Sequence, residues 1–179
     1  MDKNNQRQIC LDNRSKIDPE LRKEYSQIIC DKLLKLELRG NIMSYYPIKD
    51  EVDPLFFNNK KCVAYPVIMT DKQMDIYLPI NNDFIMNYYK IPEPNTSTGV
   101  KMDKEYISTV IVPCVGFDER CYRIGYGGGY YDRFLQDYKV RKIGICFEAC
   151  KVDEVITDEY DIQLDMIVTE ANTYGSIKR

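Results

Sequence analysis

The sequence predicts an α/β fold, a single layered domain with a mainly parallel sheet flanked by helices, and three observations predict it. "STVIVPCVGF" (108–117) is a continuous apolar run, the pattern of a strand buried on both faces. "KIGICF" (142–147) and "LDMIVTE" (164–170) are two more apolar strands. Stretches with helical features separate or precede such runs, and strands alternating with helices need crossover connections, which set the strands parallel. At 179 residues the chain has the length of one domain with a sizeable core, taken here as 1–179.

The elements follow in order. Asp18-Pro19-Glu20 reads as N-cap, first-turn proline and first-turn acid. Leu21, Tyr25, Ile28, Ile29, Leu33 and Leu36 then recur at helical spacing until Gly40. "NIMSYY" (41–46) predicts a strand, and Asp53-Pro54 opens a short helix through Leu55 and Phe57. "CVAYPVIM" (62–69) and "QMDIYLPI" (73–80) are strand-like, whereas "PEPNTSTGVKMDK" (92–104) predicts an exposed loop. After the buried strand comes a glycine segment, and "YYDRFLQDY" behind it looks like a helix start.

Composition excludes several chemistries. Histidine is absent, which removes Ser-His-Asp and Cys-His catalysis and histidine metal sites. A net charge of −3 and a pI near 5.2 oppose nonspecific attraction to nucleic acid, so any bound phosphate needs a local cluster of cations. The seven cysteines form no C-x-x-C and no even framework, and are expected to be reduced, mostly buried thiols of a cytoplasmic protein. "MDKNNQRQ" lacks an apolar signal core, and no apolar run approaches the ~18 residues of a membrane span.

"RIGYGGGYYDRFL" (123–135) is the chemically unusual segment. It sits between a buried strand and a helix, where open α/β sheets collect ligands. Gly125, Gly127, Gly128 and Gly129 leave backbone N–H groups unshielded, and successive N–H groups in a turn make an anion-binding concavity. The helix that follows adds its positive N-terminal end. Arg123 and Arg133 flank the loop and suit bidentate phosphate contacts. Asp132 would repel phosphate by itself but suits the Mg²⁺ that phosphates share. The pattern is neither a P-loop nor a dinucleotide fingerprint, and a tight turn filled by glycines remains an alternative.

The segment closely resembles the R-[LI]-G-x-G-x-G-Y-Y-D-R-[FY]-L motif of the 5-formyltetrahydrofolate cyclo-ligase family, the methenyltetrahydrofolate synthetases. "VPCVGFD", "IPEP" (91–94), "DEVD" (50–53) and "LDMIVTE" are similar to further blocks of that family, in family order. The resemblance implies an ATP- and Mg²⁺-dependent ligase of one-carbon metabolism. The formyl oxygen of 5-formyltetrahydrofolate would attack the γ-phosphorus of ATP, and N10 would then close the ring to 5,10-methenyltetrahydrofolate. Such chemistry needs alignment and charge stabilisation more than a protein nucleophile, which suits a chain without histidine. The implied partner is a small reduced folate, with no nucleic acid and no membrane, and the chain is expected to be a monomer.

The resemblance also implies residue roles. Lys3 and Arg7 match the family's N-terminal pair on ATP phosphates; at i and i+4 of a helix both would share one face. Arg123, Ile124, Gly125, Tyr126, Gly127, Gly128, Gly129, Tyr130 and Tyr131 would form the nucleotide cradle, with Arg123 and Tyr130 catalytic. Asp132 and Asp165 match metal-binding aspartates. Glu51 matches the acid on the pterin, where a carboxylate can accept paired N–H donors as one does at base edges. Tyr46, Tyr89 and Tyr130 would line the folate pocket, where flat rings can stack. Three positions depart from the family pattern: Cys121 replaces a turn glycine, Val67 a frequent arginine, and Tyr160 a frequent histidine. Three other readings stay open: an ATP-binding homologue with another substrate, a non-catalytic Tyr/Gly-rich interaction module, and a sugar-phosphate isomerase on a similar scaffold.

Overall fold

The computed structural model describes residues 2–176. Its elements in chain order are α1 (Lys3–Ser15), α2 (Pro19–Lys35), β1 (Asn41–Met43), α3 (Leu55–Asn58), β2 (Val63–Ile68), β3 (Met74–Leu78), β4 (Phe84–Met86), β5 (Pro92–Pro94), β6 (Val100–Met102), β7 (Ile107–Pro113), β8 (Gly116–Phe117), β9 (Arg123–Ile124), α4 (Tyr130–Leu135), β10 (Arg141–Ile145), β11 (Met166–Val168) and β12 (Thr173–Gly175). Eight strands form one sheet in the order β12-β11-β10-β7-β1-β2-β3-β6. The central pairings β10–β11, β7–β10, β1–β7 and β1–β2 are parallel. Antiparallel strands finish both edges, β12 on one side and β3 with β6 on the other.

The mainly parallel sheet flanked by helices is therefore present, and its core is the set of apolar strands legible in the sequence. Val110, Ile111 and Val112 of β7, Ile143 and Ile145 of β10 and Ile167 of β11 are all fully or almost fully buried. In α2 the Asp18 side chain accepts from Glu20 N at 2.9 Å, as the cap sequence requires. The helix stops five residues before Gly40, because Glu37 takes the left-handed conformation (φ 49°) that follows a helix end.

Three expectations need correction. The run 108–117 pairs with the sheet only through Pro113; beyond it Val115 N donates to Ile124 O, and the chain folds into the β8–β9 hairpin. The segment 92–104 contains two strands, since β5 pairs with β4 and β6 with β3. Prolines 92 and 94 are tolerated there because β5 belongs to a two-stranded ribbon, where no central ladder needs their N–H groups. Finally, the helix start expected at "YYDRFLQDY" is present as α4, but it lasts only six residues, so its macrodipole is small.

Sheet order locates the crevice. From β1 the chain moves outward through β2, β3 and β6, then returns to β7 on the other side of β1 and proceeds to β10 and β11. The connections leaving the carboxyl ends of β1 and β7 thus diverge, and open α/β sheets bind ligands at such a switch point. Among the described residues, no helix is long and apolar enough to cross a membrane. All seven cysteines are free thiols, and six of them are buried.

Candidate active site

A cavity of about 1140 Å³ opens at this switch point. Tyr45 to Ile48, Lys49 and Glu51, which follow β1, line it together with Pro113 at the end of β7 and the loop from Gly125 to Gly129. Lys3 and Arg7 of α1 complete this side, and Tyr89 to Glu93 of the β4–β5 hairpin close the other.

The glycine loop has bare backbone for a visible reason. Gly127 (φ 95°) and Gly129 (φ 66°) lie in the left-handed region, which residues with a Cβ rarely adopt. Guanidiniums hold the loop from its flanks. Arg7 Nε donates to Gly125 O at 2.6 Å, and Arg133 donates to Gly128 O. Arg123, buried on β9, donates from Nη2 to Asp132 Oδ2 at 2.9 Å, while its Nε is buried without an acceptor. Because α4 is short, the positive field here comes from these three arginines rather than from a helix dipole.

Lys3 and Arg7 stand on one face of α1, and both line the cavity. Lys3 pairs with the Asp161 carboxylate and lies 3.8 Å from Asp158 Oδ2. Farther along α1, buried Arg14 donates from Nη2 to the Tyr126 hydroxyl at 2.6 Å. The helix therefore braces the glycine loop twice, at Gly125 and at Tyr126.

Glu51, in the segment after β1, is almost fully buried, and its Oε2 accepts from Ile48 N at 2.8 Å. Burial pushes its carboxyl up to about 7, against the Ile48 amide, Arg14 and Lys49, which favour the charged form. Tyr46 packs against Phe84 with ring centroids 5.8 Å apart. Tyr89 reaches the other side, its hydroxyl 3.5 Å from that of Tyr130. That contact, before burial, raises the Tyr130 phenol above its ordinary range. Burial raises the Tyr131 phenol strongly.

Most sequence-predicted site residues thus converge, namely Lys3, Arg7, Tyr46, Glu51, Tyr89, Arg123, Gly125 to Tyr131 and Asp132. Two do not. Ile124 is wholly buried in the core and does not line the cavity. Asp165 is not brought to Asp132: its Oδ2 accepts from Lys142 N at 2.7 Å, just before β11 begins. The register Lys142↔Val110 places it beside the middle of β7, three residues short of the carboxyl end from which the glycine loop departs. Asp161, four residues earlier in "DIQLD", lines the cavity instead and pairs with Lys3, with Asp158 beside the same ammonium.

Arg14 and Glu93 were also missed. A buried arginine leaves no apolar period to detect, and Glu93 sat in a segment expected to be loop. The departures from the family pattern are accommodated. Cys121 adopts φ 66°, the conformation that a turn glycine supplies, and its N–H donates to Asp118 O at 3.0 Å. Val67 is buried in β2 and Tyr160 lines the cavity.

The donor set fits a polyphosphate, since guanidiniums, bare amides and Lys3 share one wall. Among the described residues no group of three or more acidic or thiol side chains forms a ready metal cage. That suits Mg²⁺, which is usually held by one or two carboxylates together with substrate phosphates.

Known proteins agree with this arrangement. A model of the 5-formyltetrahydrofolate cyclo-ligase family matches residues 1–170. The chain is 31% identical over 182 residues to the 5-formyltetrahydrofolate cyclo-ligase of Mycoplasma pneumoniae, covering 95% of this chain and 99% of that one. Its fold is similar to the solved 5,10-methenyltetrahydrofolate synthetase of Aquifex aeolicus, with a TM-score of 0.84, 28% identity, and 100% and 97% of the two chains covered. The corresponding synthetase structure from M. pneumoniae gives a TM-score of 0.75 at 28% identity over 95% and 99% of the chains. The family match over 170 residues, the near full-length relative and the shared fold show that the chain belongs to the 5-formyltetrahydrofolate cyclo-ligase family of ligase-type enzymes.

Proposed function

We propose that the chain converts 5-formyltetrahydrofolate and ATP into 5,10-methenyltetrahydrofolate, ADP and phosphate. The observation that carries this is the meeting of two unlike surfaces in one cavity. Arg7, Arg123 and Arg133 crowd a glycine loop, and a buried carboxyl, Glu51, lies among tyrosines of the same cavity. The first suits phosphates and the second a flat heterocycle with N–H donors.

The formyl oxygen attacks the terminal phosphorus, and N10 then adds to the activated carbon. The former formyl oxygen and the N10 proton leave together as hydrogen phosphate, so atoms and charge balance without a protein nucleophile. The protein aligns the two substrates and stabilises charge. Arg123 faces the charge that develops on the transferred phosphoryl group, with Lys3 and Arg7 on the remaining phosphates. Tyr130 lines the cavity at the end of the glycine loop, its hydroxyl near that of Tyr89. Glu51 accepts from the pterin edge, and Tyr46 and Tyr89 flank the ring. Asp132, with Asp161 as a second aspartate of the cavity, would hold Mg²⁺, which offsets phosphate charge.

The test is direct: protein, ATP, Mg²⁺ and 5-formyltetrahydrofolate are mixed and the methenyl absorbance followed. Product should accumulate together with ADP. No methenyl signal, with phosphate released on some other acid, would assign the fold to a different substrate.

A further inference from the structure

We propose that Asn87 and Glu93 are positioning residues that set Tyr89 in place before the folate arrives. This rests on the assignment of the cavity to a reduced folate and a nucleotide. The Tyr89 side chain has little packing of its own. The residue is 57% exposed, its ring meets the Tyr88 ring edge-on at 5.5 Å, and its hydroxyl reaches Tyr130 at 3.5 Å. A ring held so lightly is aimed by its backbone.

That backbone is a tight hairpin turn. Lys90 N donates to Asn87 O and Asn87 N to Ile91 O, both at 3.0 Å, closing a loop over 88–90. Lys90 sits in the left-handed region (φ 59°), a strained conformation for a non-glycine residue. Asn87 offsets this by accepting two more backbone donors on Oδ1, Tyr89 N at 2.8 Å and Ile91 N at 3.0 Å.

Glu93 fixes which way that amide faces. Its Oε1 accepts from Asn87 Nδ2 at 2.8 Å and from Ile68 N of β2 at 2.9 Å. A carboxylate only accepts, so Nδ2 must face Glu93 and Oδ1 must face the turn. Glu93 is 7% exposed and lines the cavity. A continuous chain of hydrogen bonds thus runs from the sheet at Ile68, through Glu93 and Asn87, to the Tyr89 amide. Its effect is preorganisation: the folate wall is shaped without ordering a loop at binding.

The test uses the full chain with Asn87→Ala and Glu93→Gln. Asn87→Ala should raise KM for 5-formyltetrahydrofolate about tenfold while KM for ATP stays within about twofold. Hydrogen exchange at the Tyr89 and Ile91 amides should quicken about tenfold or more in the same variant. Glu93→Gln replaces an acceptor-only group by an amide that can also donate, so the Asn87 amide is no longer fixed and folate KM should rise, by less than in Asn87→Ala, with ATP KM unchanged. Should Asn87→Ala fail to fold, Asn87→Asp keeps the two turn acceptors but sets a carboxylate against Glu93. It should raise folate KM and leave ATP KM alone. Unchanged folate KM beside quickened exchange, or unchanged exchange at both amides, overturns the inference. A wild-type chain that turns over no 5-formyltetrahydrofolate overturns the underlying assignment as well.

Discussion

The Nη2 atom of Arg123 and the Oδ2 atom of Asp132 lie 2.9 Å apart, joining β9 to α4 across the glycine loop. The guanidinium is almost wholly buried, and the carboxylate lines the cavity. The pair therefore fixes the Arg123 guanidinium against the glycine loop.

Arg123→Ala is expected to lower kcat by ~10²–10³, the scale for losing one donor to transition-state charge. The paired variant Arg123→Lys keeps the charge but loses the two-pronged geometry, and should recover only part of the rate. Steady-state kinetics decide the point: a loss confined to KM for ATP would make Arg123 a binding residue only.

The metal assignment separates three aspartates. Asp132→Asn and Asp161→Asn should each move the Mg²⁺ dependence of turnover to much higher concentration. Asp165→Asn should leave that titration unchanged and cost about 1 kcal/mol of stability by weakening its bond from Lys142 N. A shifted Mg²⁺ titration in Asp165→Asn would contradict the placement described here.

Glu51 gives a pH prediction with a definite sign. Its folded value of about 7 stands above the ordinary 4.5, chiefly through burial. Between those values the unfolded chain has released the proton and the folded chain still holds it. Stability contributed by the neutral acid is thus full below 4.5 and is lost as pH rises through 7. Relative to Glu51→Gln, wild type should lose on the order of 3 kcal/mol across that window, measured by denaturant unfolding. If the ionised carboxylate receives the pterin donors, folate affinity should rise with pH up to about 7 in wild type, and stay flat in Glu51→Gln.

Glu37 offers a change remote from the cavity. It is exposed, sits just past the end of α2 and holds φ 49°. Glu37→Gly removes both the backbone strain and an acid at the negative end of the helix dipole, and should stabilise by about 1 kcal/mol. A protein of this size should gain roughly 2–4 °C in Tm by thermal unfolding, with kcat unchanged.

What was legible in the sequence follows from what periodicity can encode. The strands that became β7, β10 and β11 announced themselves because both faces are buried, so every position is apolar. Helix α1 did not, since its buried face is Gln6, Cys10 and Arg14. Gln6 is paid for by the chain it meets, donating to Glu154 O at 2.6 Å and accepting from Ile156 N at 3.0 Å. Neither bond has a sequence signature.

The glycine loop and its arginines were readable because few structures demand that composition. The choice between Asp161 and Asp165 was not, because two aspartates four residues apart look alike until strand register is known. Parallel pairing with β10 then sets Asp165 against Lys142 and leaves Asp161 in the preceding loop, within reach of Lys3. The β4–β5 hairpin was hidden for a third reason: its prolines and asparagines are those of an exposed loop, and only the register Ile85↔Glu93 reveals a strand.

The most direct measurement is a crystal structure of the chain with a non-hydrolysable ATP analogue, Mg²⁺ and 5-formyltetrahydrofolate. The terminal phosphoryl group should rest on the amides of Gly127 to Gly129 within hydrogen-bond distance of Arg123, with the formyl oxygen in line and the pterin edge on Glu51. A nucleotide bound elsewhere, with that loop vacant, would contradict the account.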